Sequence, residues 1–144
     1  MLEGKYLLFG DSYDDVYKIR KLCTSTNITD VMDREALHVI VYDDAQPIAC
    51  GRMLIKDDRY IFDNIYVVKE KRNNNIGDFT VRLLIEKANL MCAEEIIVSC
   101  EDSNKLFFES IGFQEHNEPS KFDLDGVIMY LDLSTFFNSK RCCE

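Results

Sequence analysis

The sequence predicts a single α/β domain, of the α+β kind, built on a mixed and mostly antiparallel central sheet flanked by helices. The first observation is a series of three strand-like segments separated by turn signals, at residues 37–42, 48–55 and 60–68, which is typical of an antiparallel meander. The second is a long amphipathic helix followed by a compact strand at 96–100. This strand–helix–strand order predicts that the two strands pair in parallel.

Before the meander, the pattern predicts a strand at residues 5–9 and then a helix that Ser12 caps, with Asp15 at the capping-box position. The apolar stripe of this helix consists of Val16, Ile19, Leu22 and Cys23. The polar stretch 24–33 fits either a turn or a short second helix, and both interpretations stay open.

Turns at 43–47 and 56–59 join the meander strands. The helix that follows them has one buried face, because its apolar residues recur at spacings of three and four. These residues are Ile76, Phe79, Leu83, Leu84, Ala88 and Met91. A short helix at 104–110 comes next, with Gly112 as its C-cap, and the segment 126–133 is the final predicted strand.

Composition limits the class of protein. The 144 residues fit one domain, 1–144, with its own core, and 47% of them are apolar. No apolar run approaches the roughly 20 residues of a membrane span, and the start lacks the features of a secretory signal, so we expect a cytoplasmic protein without a membrane partner. The net charge of −9 argues against nucleic acid and favours a cationic small substrate.

Six cysteines are present, but no Cys-x-x-Cys pair and no Cys/His cluster at zinc spacing occurs in the sequence. We therefore predict no metal site. Cys23, Cys50, Cys92 and Cys100 lie in apolar segments and are interpreted as small hydrophobic residues. Cys142 and Cys143 are interpreted as tail residues, with a redox or metal role as the less favoured alternative.

The turn between the third meander strand and the long helix has the features of a phosphate site. A helix start leaves about four backbone N–H groups without intrahelical partners and carries the positive end of the macrodipole. Gly77 permits close backbone approach, and Asn75 is of the non-glycine type that most readily adopts positive φ. Lys69, Lys71 and Arg72 make this turn cationic in an acidic chain. Gly77 alone would more often indicate an ordinary turn.

Taken together, these motifs resemble those of the Gcn5-related N-acetyltransferase (GNAT) superfamily. The segment 72–77 is similar to the family's Arg/Gln-x-x-Gly-x-Gly/Ala loop in five of six positions, the exception being Asn75. The segment 107–113 is similar to the family's Phe-Tyr-Glu-Lys-x-Gly-Phe, with Phe108 in place of the tyrosine. The segment 48–53 is similar to the family's glycine-containing third strand, and the resemblance covers most of 37–113.

The resemblance implies a GNAT fold that binds acetyl-CoA at a splayed, parallel pair of strands. It also implies that the Val67 backbone N–H polarises the thioester carbonyl. The residues implied to bind the cofactor are Val67, Arg72, Asn73, Asn74, Asn75, Ile76, Gly77, Asp78, Asn104 and Phe108. The first helix, around Tyr13 and Tyr17, and the segment 24–33 are implied to shape the acceptor pocket.

By the same resemblance, Asp63 matches a carboxylate that acts as general base, directly or through water. A strand-edge carboxylate without a catalytic part is an equal interpretation. Glu101 is a second candidate base, and Ser99 or Tyr66 could orient a water molecule. Phe108 cannot donate a proton to the leaving thiolate, so solvent would have to supply it.

The predicted function is acetyl transfer from acetyl-CoA to a primary amine of a small molecule or peptide. Acidic composition favours a cationic acceptor such as a polyamine, an aminoglycoside or a lysine side chain. Two alternatives stay open. One is a non-catalytic acyl-CoA-binding or regulatory module, which the residues Asn75 and Phe108 would allow. The other is an interaction domain, with a homodimer formed through the final strand, 127–133.

Overall fold

The computed structural model describes residues 1–8 and 10–140, and for 138–140 the backbone alone. Its centre is one seven-stranded sheet. The strands are β1 Leu2–Tyr6, β2 Leu37–Asp43, β3 Gln46–Lys56, β4 Arg59–Val67, β5 Glu95–Cys100, β6 Gln114–Glu115 and β7 Val127–Asp132. Their order across the sheet is β1-β2-β3-β4-β5-β7-β6. Every described strand pair is antiparallel except β4–β5, which is parallel, as the crossover predicts.

Helices cover both faces of the sheet. They are α1 Asp14–Thr24, α2 Ile76–Leu90, α3 Lys105–Ile111 and α4 Leu133–Lys140, with a 3₁₀ turn at Val31–Glu35. One hydrophobic cluster joins α2 and α3 to sheet residues such as Val39, and a second joins α1 to Ile40. Because successive strand residues point to opposite faces, α1 lies on the other side of the sheet from α2 and α3.

The long helix α2 confirms the apolar periodicity. Ile76, Leu84 and Ala88 are buried along one face, and Leu83 packs partly buried beside them. Met91 falls one residue beyond the helix end and is 37% exposed, so the predicted stripe is one residue too long.

The meander turns are also confirmed. Each of them places two consecutive residues at positive φ, which is the geometry of a tight two-residue hairpin.

The first strand lies earlier than predicted, at Leu2–Tyr6, and Phe9 is outside the described residues. An edge strand is held by backbone pairing with β2, and its residues are mostly exposed, so an apolar run is a poor guide to it. The predicted capping box is wrong, because Tyr13 is the N-cap residue, although Ser12 Oγ accepts a hydrogen bond from the Asp14 N–H at 3.0 Å. Asp15 instead accepts a hydrogen bond from the Tyr42 hydroxyl at 2.7 Å, and α1 begins at Asp14.

The predicted apolar stripe of α1 is confirmed at Val16 and Ile19, which are buried. The prediction is wrong at Leu22, which is 62% exposed. Arg20 is fully buried instead. The stretch 24–33 forms no second α-helix and leads into the 3₁₀ turn. The helix α4, which follows directly on β7, was not predicted.

The cysteine interpretation holds for Cys50 and Cys100, which are buried, and burial raises the pKa of the Cys50 thiol to about 12. Cys92 is exposed, which corrects its assignment to the apolar interior. Cys142 and Cys143 lie outside the described residues.

In the described part of the chain, no three His, Cys, Asp or Glu side chains are arranged to hold a metal ion. No helix there has the length and hydropathy needed to cross a membrane.

Candidate functional site

The two parallel strands separate towards their carboxyl ends. Pairing between β4 and β5 is confined to residues 60–62 and 96–98. Just beyond it, the register of β4 against β3 shifts opposite Gly51, and Asn64 adopts a left-handed φ of 47°. A bulge of this kind bends a strand and ends its pairing. It opens a gap between the second half of β4 and the neighbouring strand β5.

The backbone of Val67 faces this gap. The Val68 N–H donates to the Ile48 carbonyl of β3 at 2.9 Å. Because the intervening peptide is trans, the Val67 carbonyl points the opposite way, away from β3. In a strand, the N–H and C=O of one residue point to the same edge, so the Val67 N–H also faces the gap. The carbonyl accepts hydrogen bonds from Arg72 Nε at 2.9 Å and from Cys23 Sγ at 3.4 Å.

A cavity of about 560 Å³ occupies the gap. It is lined by Ile65, Tyr66, Val67, Arg72, Asn73, Asn75, Ile76, Gly77, Asp78, Asn104, Phe107, Phe108 and Ser110. The structure therefore brings together every residue expected to bind the cofactor except Asn74. Residues from β4, from the following turn and from two helices converge here, although α3 is distant from the turn in sequence.

The turn before α2 is held by two asparagines in the left-handed conformation, Asn73 at φ 67° and Asn75 at φ 62°. Asn75 is the N-cap of α2, and its side chain makes no capping hydrogen bond. The first N–H groups of a helix of 15 residues thus face the cavity without a side-chain cap, which favours an anion. Asp78 in the first turn is paired with Arg82 at 2.6 Å, which offsets its negative charge.

The cationic side chains of the turn are largely engaged within the protein. Lys71 forms an ion pair with Asp43 at 3.0 Å, and Arg72 donates to the Val67 carbonyl. Lys69 is exposed. These three cationic side chains therefore do not form a joint binding site for an anion. The uncapped start of α2 is the more direct anion-binding feature.

Across the cavity, α3 presents two aromatic rings that contact each other. The rings of Phe107 and Phe108 meet edge to face at 5.0 Å, and Phe108 meets Phe113 in the same way at 5.4 Å. Phe108 is buried and lines the cavity with a hydrocarbon surface. Tyr66 is the phenol in the lining, and burial raises its pKa, so its hydroxyl stays protonated at neutral pH.

The two predicted bases lie outside the cavity lining. Both carboxylate oxygens of Asp63 accept from Arg52, one from Nε and one from Nη2, each at 2.7 Å. Glu101 follows β5 and is exposed. The Ser99 hydroxyl, considered as a water ligand, donates to the Asp125 carbonyl.

A buried ionic network on the α1 side of the sheet was missed by sequence reasoning. It joins Arg20 and Asp33, which pair through two hydrogen bonds of 2.9 and 3.0 Å, to Arg52. Burial opposes the charge on Asp33, but the hydrogen bonds from Arg20 lower its pKa overall. The signal available in the sequence was weak, since an arginine inside a helix or strand is usually a surface residue.

The predicted acceptor-side tyrosines border this network. The Tyr13 ring lies 5.2 Å from the His38 ring, and the Arg20 guanidinium lies over the Tyr17 ring at 5.7 Å. His38 and Arg20 are both buried. The first helix and the network therefore pack together on the face of the sheet that α1 covers.

The seven-stranded mixed sheet, its splayed parallel pair and the helices on both faces define an α/β domain with its cavity at the end of the parallel pair. Residues 34–115 match the family model described as "Acetyltransferase (GNAT) domain", which is more than half of the chain. This chain belongs to the GNAT acetyltransferase family.

Comparisons with individual proteins agree with this assignment. In sequence, the chain is 27% identical over 104 residues to the uncharacterized N-acetyltransferase YjcF of Bacillus subtilis (strain 168), covering 72% of this chain and 73% of that protein. In structure, it is similar to the Escherichia coli ribosomal-protein-S18-alanine N-acetyltransferase, with a TM-score of 0.74, 18% identity and coverage of 92% and 94%.

A second similar structure is a GNAT family acetyltransferase from Elizabethkingia anophelis with acetyl-CoA bound. Its TM-score is 0.69 at 13% identity, and the match covers 91% of this chain and 97% of that one. At such identities the two structural matches establish the shared fold.

Proposed function

We propose that this chain is an acetyl-CoA-dependent N-acetyltransferase that acetylates a primary amine of a cationic acceptor. The observation that supports it best is the cavity between β4 and β5, where the Val67 N–H, the uncapped start of α2 and Phe108 converge. The helix start would bind the pyrophosphate of acetyl-CoA, and the gap beside β4 would take its pantetheine arm.

In the proposed reaction, the lone pair of a neutral amine attacks the thioester carbon. The Val67 N–H stabilises the negative charge that develops on the carbonyl oxygen. The C–S bond then breaks, CoA leaves as a thiolate, and the amine nitrogen loses its proton. Phe108 cannot protonate the thiolate, so solvent supplies that proton.

The acceptor amine, with a pKa of about 10, must lose a proton before it attacks. Asp63 and Glu101 remain the proposed bases. The pairing with Arg52 makes full proton transfer to Asp63 difficult, but each of its oxygens retains a lone pair that can accept a hydrogen bond from an ammonium group or from water. We therefore propose that Asp63 acts through water.

The ionic network supports a cationic acceptor. Two guanidinium groups, Arg20 and Arg52, face three carboxylates, Asp30, Asp33 and Asp63, which leaves one negative charge in excess. Asp30 and Asp63 are its exposed ends, with side chains 37% and 33% accessible. An ammonium group approaching from the α1 side would meet this excess charge.

The first test is calorimetric titration of the protein with acetyl-CoA and with CoA at matched salt. Micromolar binding of acetyl-CoA, followed by thiol release with spermidine, kanamycin or a lysine peptide, would support the proposal. Binding without release for any amine would favour a non-catalytic acyl-CoA module. Absence of binding at millimolar ligand would overturn the cofactor assignment.

The variant Asp63→Asn tests the base. Acting directly or through water, a general base contributes about 10²- to 10⁴-fold to the rate, so kcat should fall by a factor in that range. Affinity for acetyl-CoA should stay within about twofold, because Asp63 does not line the cavity. An unchanged kcat would transfer the role to Glu101, for which Glu101→Gln is the matched variant.

A further inference from the structure

One guanidinium group connects the acceptor side of the molecule to the cofactor strand. Arg52 on β3 is 4% exposed, and it holds Asp63 on β4 through two hydrogen bonds of 2.7 Å. Its remaining nitrogen, Nη1, donates to Asp30 and to Asp33, each at 3.1 Å. Asp63 directly precedes the bulge residue Asn64, where β4 bends away from β5.

The segment 25–36, between α1 and β2, depends on such side-chain contacts for its position. Its only regular structure is the short 3₁₀ turn, which Asp30 caps by accepting from the Met32 N–H at 2.9 Å. From α1, Arg20 Nη1 donates to the Ile28 carbonyl at 3.2 Å as well as to Asp33. From β2, His38 Nε2 donates to the Asp33 carbonyl at 2.8 Å.

Among these contacts, those of Arg52 alone reach β4. Arg20 and His38 fasten the segment to α1 and β2, whereas Arg52 fastens it to the strand that carries Val67. The hydrogen bonds to Asp63 raise the pKa of the Arg52 guanidinium, and the charge is therefore permanent. A lysine in its place could not bind Asp63 bidentately and bridge to Asp30 at the same time.

We propose that Arg52 is a positioning residue for acetyl transfer. Its hydrogen bonds hold the segment 25–36 against β4 next to the bulge. They therefore determine where an acceptor amine lies relative to the Val67 N–H. The proposal rests on the proposed function for its kinetic part. Its structural part, the coupling of the segment to β4, holds independently of any reaction.

The test variant is Asp30→Asn, which removes the hydrogen bond between Arg52 and Asp30 at the exposed end of the network and leaves the buried Asp33 carboxylate paired with Arg52 and Arg20. The substituted side chain keeps an oxygen that caps the Met32 N–H but places an amide against Arg52 Nη1. The matched control is Asp58→Asn, an exposed turn residue at φ 61°, where asparagine is equally tolerated. Arg52→Lys is the second variant, which retains the charge and loses the bidentate geometry.

For the amine among spermidine, kanamycin and the lysine peptide that gives the fastest thiol release, KM should rise at least about fivefold in Asp30→Asn. The dissociation constant of acetyl-CoA should stay within about twofold. Arg52→Lys should raise KM at least as much, and adding Asp30→Asn to it should have little further effect, because the connection is already broken. The control should match the wild type in every measurement.

Hydrogen exchange tests the structural part without a substrate. In Asp30→Asn and Arg52→Lys, peptides covering 25–36 and 63–67 should both exchange faster, while peptides covering α2 keep their protection. Faster exchange of 25–36 alone would overturn the proposed coupling, as would equal weakening of amine and acetyl-CoA binding. If the wild type turns over no amine, the proposed function fails, and the exchange pattern still decides the coupling.

Discussion

The ring of Phe107 lies against the backbone of Gly77. A Cβ atom on Gly77 would lie 3.3 Å from Phe107 Cζ and 3.7 Å from a methyl group of Val67. At Gly77, the first turn of α2 therefore lies close to both the end of β4 and helix α3. A Cβ atom is disfavoured there by this close contact and not by backbone conformation, since Gly77 is not in the left-handed region.

Replacing Gly77 with glutamate should weaken acetyl-CoA binding about tenfold or more. The variant adds bulk against Phe107 and places a negative charge beside the helix start proposed to bind the pyrophosphate. Titration calorimetry with acetyl-CoA measures the loss. The control is Gly77→Ala, which introduces the same Cβ without charge and should cost less, because the Phe107 ring can shift by a few tenths of an ångström. Equal affinity in wild type and Gly77→Glu would contradict the assignment of the loop.

Asn75 provides a second prediction. At φ 62° it occupies a conformation that costs most L-residues about 1–2 kcal/mol, less for asparagine and nothing for glycine. Asn75→Ala should therefore lower the free energy of unfolding by about 1 kcal/mol, whereas Asn75→Gly should keep it within a few tenths. Urea unfolding followed by circular dichroism measures both.

The same pair of variants addresses acetyl-CoA affinity. Asn75 stands where the family's loop carries its first glycine, so Asn75→Gly should bind acetyl-CoA more tightly than the wild type because it removes the Cβ nearest the proposed pyrophosphate. A weaker affinity in Asn75→Gly would show that the asparagine side chain itself contributes to binding.

The sequence predicted the elements whose signals are local. The hairpin turns, the periodicity of α2 and the C-cap at Gly112 all depend on residues close together in the chain, and each is present. All the residues that the family resemblance implied as cofactor contacts, except Asn74, line the cavity, and their binding to acetyl-CoA stays a prediction.

What could not be predicted depends on partners far apart in sequence. Arg20 is buried, whereas Leu22 is exposed, because Asp33 and the Ile28 carbonyl accept hydrogen bonds from Nη1 and Nη2 of Arg20, and no periodicity reveals that pairing. The hydrogen-bond partner of Asp63 could not be predicted from the sequence either. The family resemblance implied a base at Asp63, with a strand-edge carboxylate as an equal interpretation, but only the fold shows that Arg52, its cross-strand neighbour, binds both of its oxygens.

His38 should make the stability of the protein depend on pH. Its Nε2 donates to the Asp33 carbonyl, so in the neutral ring Nδ1 carries the lone pair, and Nδ1 is buried without a hydrogen-bond partner in the described part of the chain. Burial lowers the pKa of His38 below its ordinary value of 6.5, although the Asp33 carbonyl and carboxylate oppose the shift. The nearby guanidinium groups of Arg20 and Arg52 add to it.

Because the pKa of His38 is lowered in the folded state, acidification should destabilise the protein. As the pH falls through 6.5, the unfolded chain takes up a proton that the folded chain refuses, so the free energy of unfolding decreases. Between pH 7 and pH 5 the loss should be at most about 2 kcal/mol, since one pH unit corresponds to about 1.4 kcal/mol per proton. Asp30 and Asp33 have lowered pKa values and add to the loss only once the pH approaches their ordinary value of 3.8.

Urea unfolding at pH 5, 6 and 7 measures this slope. His38→Gln retains an N–H that can donate to the Asp33 carbonyl but does not titrate, and its stability should therefore change less over the same range. His116→Gln is the comparison variant, because His116 is the second histidine of the chain and packs on Phe122 and Tyr130, away from Asp33. A slope that persists in His38→Gln and disappears in His116→Gln would assign the pH dependence to the wrong histidine and refute the prediction.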